Sequence, residues 1–403
     1  MDEILIVGGG IGGLTLALEL ARRGIAYRVF EAAPEMRPVG VGVNLLPHST
    51  RILAALGLEP ELARAAVETA ESHFYNRFGQ LIYKEPLGRR ADVDWPQFSI
   101  HRADLQAALL QRAQNVELDR QCTGFAQDDK GVTLSFADGS SVSGAAAIGC
   151  DGIHSAIRRQ LHPGDGEPRY SGVNMWRGVT RWPAFLGGAT MVRAGWLATG
   201  KMVIYPIRRY GDGTQLVNWV FEIETPEHQP WDWNREARVE DFFAHVAGWT
   251  FDWLDIPAML RATDTVLEYP MVDKDPLARW TFGRVTLLGD AAHPMVPRGS
   301  NGAGQAILDA HALADCLAGE GDPAAALAAY EAVRLGPTTD VVLENRHNPP
   351  DAILREVYER TGDRPFARIE DVIGHAELRE ISERYKRVAG YDRDSLKRKE
   401  ATT

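Results

Sequence analysis

Four apolar residues, Ile4-Leu5-Ile6-Val7, run straight into Gly8-Gly9-Gly10-Ile11-Gly12-Gly13, and an apolar-periodic segment carries on to Gly24. That order is strand, glycine turn, helix. Gly8, Gly10 and Gly13 satisfy G-x-G-x-x-G in the context that gives the pattern meaning, after a strand and before a helix. The first glycine permits the tight turn, the second lets a pyrophosphate come up to the backbone, and the third lets helix and strand pack closely. Leu14, Leu18 and Ala21 recur at i, i+4 and i+7, so they share the helix face turned to a sheet, and Gly24 is placed to stop the helix.

A second strand, Tyr27-Arg28-Val29-Phe30, ends at Glu31, eighteen residues beyond Gly13. A carboxylate there can accept from both hydroxyls of an adenosine ribose. Glycine-rich turns often serve packing alone, but strand, helix and acid in register predict a Rossmann-like α/β fold that binds a dinucleotide. No second G-x-G-x-x-G follows a strand, so no separate nicotinamide domain is expected.

The length, 403 residues, admits two or three domains or one large nucleotide fold carrying an inserted lobe. Acidic residues outnumber basic ones, 55 to 44, and the net charge of -11 is spread without long blocks. Neither nucleic acid nor an anionic membrane is therefore expected as a partner. An apolar strand begins almost at once, and no apolar run reaches the ~18 residues of a membrane span. The expectation is a cytoplasmic protein without a signal peptide. Cys122, Cys150 and Cys316 are widely spaced, which leaves no C-x-x-C redox or zinc pair and no expected metal site.

After Glu31, Pro34, Pro38, Gly40 and Gly42 break regular structure, and the two glycines suit close approach of the backbone to a flat ligand. Arg37 in this loop reads as a surface charge. Residues 49–67 read as one helix, 71–85 as paired strands about the Phe78-Gly79 turn, and Leu105, Leu109 and Leu110 as one face of another helix. Arg102 sits in that helix's first turn, where a cation is unfavourable against the macrodipole unless an anion lies nearby. A phosphate contact and a plain surface arginine both stay open. Strands are expected at 116–118, 132–136 and 145–149, the last leading into Asp151-Gly152 with Ser155 as a helix cap.

From about 169 to 267 the character changes. Eight of the ten tryptophans lie between Trp176 and Trp253, and alternating runs such as Lys201-Met202-Val203-Ile204-Tyr205 and Gln215-Leu216-Val217-Asn218-Trp219-Val220-Phe221 predict an inserted antiparallel sheet. Most of these aromatics belong to a core. One amphipathic helix is expected within it, over 239–246. The chain then returns to a strand ending in Gly289-Asp290, a Pro/Gly loop, and a helix from near Ala303 toward Leu317 whose free amides and positive dipole end would stabilise an anion. Charged helical segments are expected at 351–361 and 376–389, with disorder over the last ten residues.

Taken in order, G-x-G-x-x-G at 8–13, Asp-Gly at 151–152 and Gly-Asp at 289–290 resemble the signature set of single-component FAD-dependent aromatic hydroxylases, over roughly residues 1–345. Ser99-Ile100-His101-Arg102, Met175-Trp176-Arg177-Gly178, Tyr269-Pro270-Met271-Val272-Asp273 and Asn301-Gly302-Ala303 are most similar to the salicylate hydroxylase-like branch, methylphenazine-carboxylate monooxygenases in particular. The resemblance implies a glutathione reductase-type FAD-binding domain (1–70, 95–168 and 268–345), a substrate-binding sheet domain (71–94 and 169–267) and a C-terminal helical segment (346–403). It implies tightly bound, non-covalent FAD, touched by Gly8, Gly10, Ile11, Gly13, Glu31, Ala32, Arg102, Asp151, Gly289, Asp290 and Pro297, with Val43, Gly302 and Ala303 against the isoalloxazine. Many relatives carry Gly-Gln-Gly before the last helix. Here Gly299-Ser300-Asn301-Gly302 stands there, and the hydrogen bonds to the flavin edge are expected to differ.

The activity so implied is hydroxylation of an aromatic or N-heteroaromatic small molecule with NADH or NADPH and O2, through a flavin C4a-hydroperoxide, by a monomer or homodimer. Arg177, Tyr205, Tyr269 and His293 are candidates for substrate orientation, and no catalytic base is singled out. The same frame serves flavin-dependent reductases and halogenases. Trp231-Asp232-Trp233-Asn234-Arg235-Glu236 has the tryptophans of a halogenase W-x-W-x-I-P stretch without the rest. A non-catalytic flavin- or ligand-binding sensor is the other alternative.

Overall fold

A strand whose every side chain is apolar is stable only where both faces are covered, as in the middle of a parallel sheet. In the computed structural model, which describes residues 3–36, 41–225, 235–249 and 251–400 (398–400 by backbone alone), Ile4–Val7 occupies that place. Arg37, Gly40 and Trp231-Asp232-Trp233-Asn234 lie outside the described residues. Ile4–Val7 pairs in parallel with Ala146–Gly149 on one side and Tyr27–Phe30 on the other. Val285–Leu287 and Val116–Glu117 complete a five-stranded parallel sheet. Gly8 turns the chain at φ +110°, and a Cβ on Gly13 would stand 2.0 Å from the Gly8 carbonyl oxygen. The corner into helix Ile11–Arg22 therefore closes only on glycine. Helix Gly302–Gly319 packs beside that helix.

The aromatic region builds an eight-stranded sheet in the order Arg235–Ala237, Val266–Asp273, Arg169–Pro183, Thr214–Glu224, Gly200–Arg209, Thr190–Trp196, Glu71–Tyr75, Leu81–Pro86. It is antiparallel except where Thr190–Trp196 runs parallel to Glu71–Tyr75, because that hairpin joins from a distant part of the chain. One face buries aromatic rings. Phe221 and Phe242 stack with centroids 4.9 Å apart, and the Trp219 indole nitrogen donates to the Thr180 and Thr263 hydroxyls at 3.1 Å each. The opposite face turns toward the nucleotide fold. A small sheet of Gly42–Leu45, Phe98–His101 and Val67–Glu68 lies nearby, and the antiparallel strands Cys122–Gln127, Val132–Phe136 and Ser141–Gly144 form another.

Three expectations are corrected. The helix read over 49–67 is two, Pro47–Ala55 and Glu59–Ala65, parted where Gly57 takes φ +76°. Residues 239–246 form two 3-10 turns, Val239–Asp241 and Phe243–His245, although Val239, Phe242 and Val246 are buried as the periodicity required. So short a segment cannot offset helix nucleation, and ring packing sets its backbone instead. Disorder does not begin at residue 394. Arg393–Glu400 is helical, with the Asp392 carboxylate accepting from the amides of Asp394 (3.2 Å) and Ser395 (3.1 Å) and Leu396 buried. The two charged C-terminal helices appear as Ala352–Thr361 and His375–Ala389.

Gly13→Ala drives a methyl into a backbone carbonyl that cannot yield without moving the strand. We expect a loss of stability of at least ~3 kcal/mol, the upper range for overpacking, read from the urea-unfolding midpoint. An unchanged midpoint would disprove the packing described for this corner.

Candidate active site

The carboxyl ends of the parallel strands open on a cavity of about 340 Å³, closed on the far side by the eight-stranded sheet. Open α/β sheets bind ligands at this end of their strands. The nucleotide wall contributes Gly10, Ile11, Gly289, Asp290, Gly302 and Ala303, with Pro297, Arg102 and Val43 at its margins. Alternate residues of neighbouring strands form the sheet wall: Met175 and Arg177; Lys201, Val203 and Tyr205; Val220 and Glu222; and Arg193. That spacing of two is the strand's own.

On the nucleotide side, a Cβ built on Gly10 meets nothing within 4 Å, so backbone there faces open cavity. Helices Ile11–Arg22 and Gly302–Gly319 both start at this wall, and neither is capped by a side chain among the described residues. Their first-turn amides lack intrahelical acceptors and favour an anion. Asp290 is reached by solvent through the cavity. Its protein surroundings push its carboxyl up, with His293 and Arg102 opposing. Glu31 closes the far end of the motif, one oxygen accepting from Gly9 N (2.7 Å) and the other from Ala33 N (2.9 Å). A carboxylate has lone pairs beyond those two bonds for hydroxyl donors.

Several residues singled out from the sequence do not line the cavity. Gly8 and Gly13 shape the corner, and Ala32 is exposed beyond Glu31. The Asp151 carboxylate turns to its own helix, accepting from the Ser155 hydroxyl and from Ala156 N (2.7 Å), while Ser155 accepts from Arg158 N (2.9 Å) as the expected cap. His293 is buried against Asp309, its Nε2 2.5 Å from a carboxylate oxygen that also accepts from Gly289 N (3.2 Å). It holds the Gly289 turn and does not reach the cavity. Tyr269 sits one strand away from it, across from Met175, its phenol pushed up by burial.

Arg177 and Tyr205 do line it, and both grip one carbonyl. The Tyr205 hydroxyl donates to Gly42 O at 2.9 Å and Arg177 Nη2 donates to the same oxygen at 3.3 Å. Burial pushes the Tyr205 phenol up, so at neutral pH it stays a donor and is no base. Sequence reasoning missed Arg193, Lys201, Glu222, Arg298 and Asp351. Lys201 Nζ lies 2.7 Å from Glu222 and is bonded to Asp351, all three buried. The signal was available in Lys201 and Glu222, charged residues at the same strand parity as Val203 and Val220.

Glycine corner, ribose-position carboxylate and two helix N-termini around one cleft define a dinucleotide-binding α/β protein. The FAD binding domain family model matches residues 1–344, and the chain belongs to that family. It is 40% identical to the phenazine 1,6-dicarboxylic acid hydroxylase PhzS of Lysobacter antibioticus over 85% of this chain and 89% of that one. It is 33% identical to the 6-hydroxynicotinate 3-monooxygenase of Bordetella bronchiseptica, over 82% and 86%. Among solved structures it resembles a single-substitution variant of Klebsiella pneumoniae HpxO complexed with FAD (25% identity, TM-score 0.78, 98% of both chains). A salicylate hydroxylase substrate complex shares the fold at 24% identity and TM-score 0.76, covering 98% of this chain and 97% of that one. FAD is thus the nucleotide this cleft fits, with open backbone at Gly10 and a carboxylate at each end.

Gly10→Ala and Asp290→Ala are expected to give folded protein whose flavin-to-protein absorbance ratio falls below about a tenth of normal. Full flavin content in either variant would refute the placement of FAD. A second prediction concerns acid. Burial raises the Asp309 carboxyl, but His293 and Arg334 outweigh it and hold it below the usual range. Its contribution is then present above the unfolded value, about pH 4, and lost as pH falls through the lowered folded value. Asp309→Asn should lower stability at pH 7 and flatten the acid limb of a stability–pH curve; an acid limb as steep as the unaltered protein's would contradict this.

Proposed function

We propose that this chain is an NAD(P)H-dependent FAD monooxygenase that uses O2 to hydroxylate a small aromatic or N-heteroaromatic molecule. One observation carries the reading: the FAD-facing wall and an apolar, arginine-flanked sheet wall enclose a single cavity. The similarity to hydroxylases acting on phenazine and nicotinate rings supports it. In this reading 1–70, 95–168 and 268–345 hold FAD, 71–94 and 169–267 supply the substrate wall, and 346–403 is a C-terminal helical segment that caps the site or makes a subunit contact.

Gly8 and Gly13 shape the corner at which the Gly10 backbone would meet the pyrophosphate, Glu31 would take the ribose, Arg102 would pair with a phosphate, and Asp290 would accept from the ribityl hydroxyls. FAD, when bound, would supply the redox chemistry that carries two electrons from NAD(P)H to O2, so that one oxygen enters the ring and the other leaves as water. Amides at the start of helix Gly302–Gly319 would stabilise negative charge on the reduced flavin. Val43, Gly302 and Ala303, which line the cavity, would flank the isoalloxazine. Met175, Val203 and Val220 give the substrate a water-poor surface, which protects a reactive oxygen donor from wasteful decay. Arg177 orients the ring from the sheet side, and neither Tyr205 nor His293 acts as a base. The reductant visits without a fold of its own.

Purified FAD-loaded protein should oxidise NADH or NADPH faster when hydroxylated or amino-substituted aromatic acids and N-heteroaromatics are added. The product should be heavier by one oxygen, labelled when 18O2 is supplied. Flavin with no ring-stimulated oxidation across the panel would favour the reductase or sensor, and a chlorinated product in the presence of chloride would favour the halogenase.

A further inference from the structure

Asp351 stands at the N-cap of helix Ala352–Thr361. A carboxylate there ordinarily accepts from the helix's own first amides, as Asp255 does from Ala258 N at 2.9 Å ahead of helix Ile256–Arg261. Asp351 makes no such bond. Buried at 1% exposure, its carboxylate is bonded instead to Lys201 Nζ, and Arg298 Nε lies 3.5 Å from the same oxygen. Burial raises this carboxyl, but Arg298, Lys201 and Arg193 outweigh it and hold it well below the usual range, so it is charged at neutral pH. The cap has been given up for two cations.

Those two cations belong to opposite walls of the cavity. Lys201 lies on strand Gly200–Arg209 of the sheet wall, with Glu222 across from it at 2.7 Å. Arg298 lies in the turn Pro297–Gly299, which leads through Ser300 and Asn301 into helix Gly302–Gly319 of the nucleotide wall. Its guanidinium carbon also sits 5.6 Å from the Trp196 ring centroid. Later parts of the chain grip the same turn on either side of Arg298. The Asn345 side-chain nitrogen donates to Val296 O at 3.4 Å, and Gly299 is pressed so closely on Tyr385 and Asn345 that a Cβ there would overlap the Tyr385 hydroxyl. Just beyond, Ser300 takes φ +54°, a left-handed conformation that a residue with a side chain keeps only where its surroundings impose it. The turn is therefore held in place from behind, and Asp351 is the charged tie that carries the hold across to the sheet.

We propose that Asp351 is a positioning residue for the reaction: by holding Arg298 and Lys201 to one carboxylate, it fixes the turn at 297–301 on the nucleotide wall against the substrate-facing sheet. The proposal rests on this cavity being where FAD and substrate meet. Reaction between two bound partners tolerates little misplacement, and a shift of ~1 Å can cost about a hundredfold in rate. A turn free to move against the sheet would still let FAD bind and be reduced, but the ring would be badly presented. The two electrons from NAD(P)H would then leave with O2 and two protons as H2O2, instead of dividing O2 between product and water.

Hydrogen exchange of FAD-loaded protein, followed by mass spectrometry without turnover, reads the tie itself. Asp351→Asn should speed exchange of the amides of residues 298–301 roughly tenfold and leave strand Ile4–Val7 within about twofold, the pattern of a local release. Asp351→Glu, which keeps the charge, should return part of the protection. Unchanged exchange at 298–301 in Asp351→Asn overturns the proposal. Should that variant lose FAD, fold poorly or loosen throughout, Arg298→Gln decides, since it cuts the tie at the turn and leaves the Lys201–Asp351 pair. It should release the same amides, and unchanged protection there again overturns the proposal. Turnover with a ring that stimulates NADH oxidation supplies the second readout. In Asp351→Asn the rate of flavin reduction should stay within about threefold of normal while the share of oxidised NADH recovered as H2O2 rises at least ~threefold. Released amides with an undiminished yield of product would confine Asp351 to the fold and overturn its role in the reaction. If the unaltered protein hydroxylates no ring, the functional reading is rejected, while exchange at 298–301 still upholds or overturns the tie.

Discussion

Everything in the cavity depends on how one glycine is held. The Gly42 amide donates to the Asn218 side-chain oxygen at 2.7 Å, and its carbonyl accepts from Tyr205 and Arg177. A Cβ at this position would come within 2.8 Å of Asn218, Ile207 and Tyr205. The start of strand Gly42–Leu45 is thereby pressed against the sheet, with no side chain between. Three hydrogen bonds to one glycine, two of them to its carbonyl from the sheet's buried face, fix the separation of the two walls. Bonds made away from water are worth more than the same bonds at a surface, and leaving one partner unmade costs its full desolvation.

That junction also settles what the polar groups around it can do. Tyr205 is pinned as a donor, and Arg177 has its Nη2 committed beside it, so the groups nearest the nucleotide wall orient and do not exchange protons. His293, the other nearby titratable side chain raised by the sequence, is locked behind the Gly289 turn by Asp309, which Arg334 Nε also contacts at 2.7 Å. The wall is built to hold a shape. Chemistry of the kind that FAD supplies asks for that more than for a protein base, since the cofactor brings the reactive centre and the protein brings position and dryness.

The parts of this arrangement legible in the sequence are those written in local chemistry. Gly8, Gly10 and Gly13 announce a corner because no other residue survives there, and Ser155 announces a helix start because its hydroxyl has an amide to meet. The period of two in residues 201–205 placed a strand and, unread, already separated Lys201, Val203 and Tyr205 from Met202 and Ile204. What was not legible is partnership across the fold. Asp151 beside a glycine looks the same whether its carboxylate reaches a ligand or its own helix, and only the Ala156 amide at 2.7 Å decides. The 239–246 segment has a helical period, yet ring packing around Phe242 sets its backbone. Asp351 lies in a stretch of the chain that carries no motif.

Asp351 shows why such partnerships matter. It reaches Lys201 from a segment that begins after the long helix Pro323–His347, so the last part of the chain is tied into the cavity wall through a desolvated ion pair. A pair of this kind contributes little to stability on balance, because apolar side chains of the same volume would pack there as well or better. Removing one partner alone is a different matter, costing ~3–5 kcal/mol for the stranded charge. A buried network that is poor as glue and expensive to disturb is most simply understood by the field it makes. Two carboxylates, Glu222 and Asp351, face Lys201, Arg298 and Arg193, so the wall keeps a net positive charge shared over the three, with Arg193 held stiffly by Ser72 and Phe74. Asp351 thus does for the cavity's charge what Asn218 does for its geometry: it holds in place the groups that must not move.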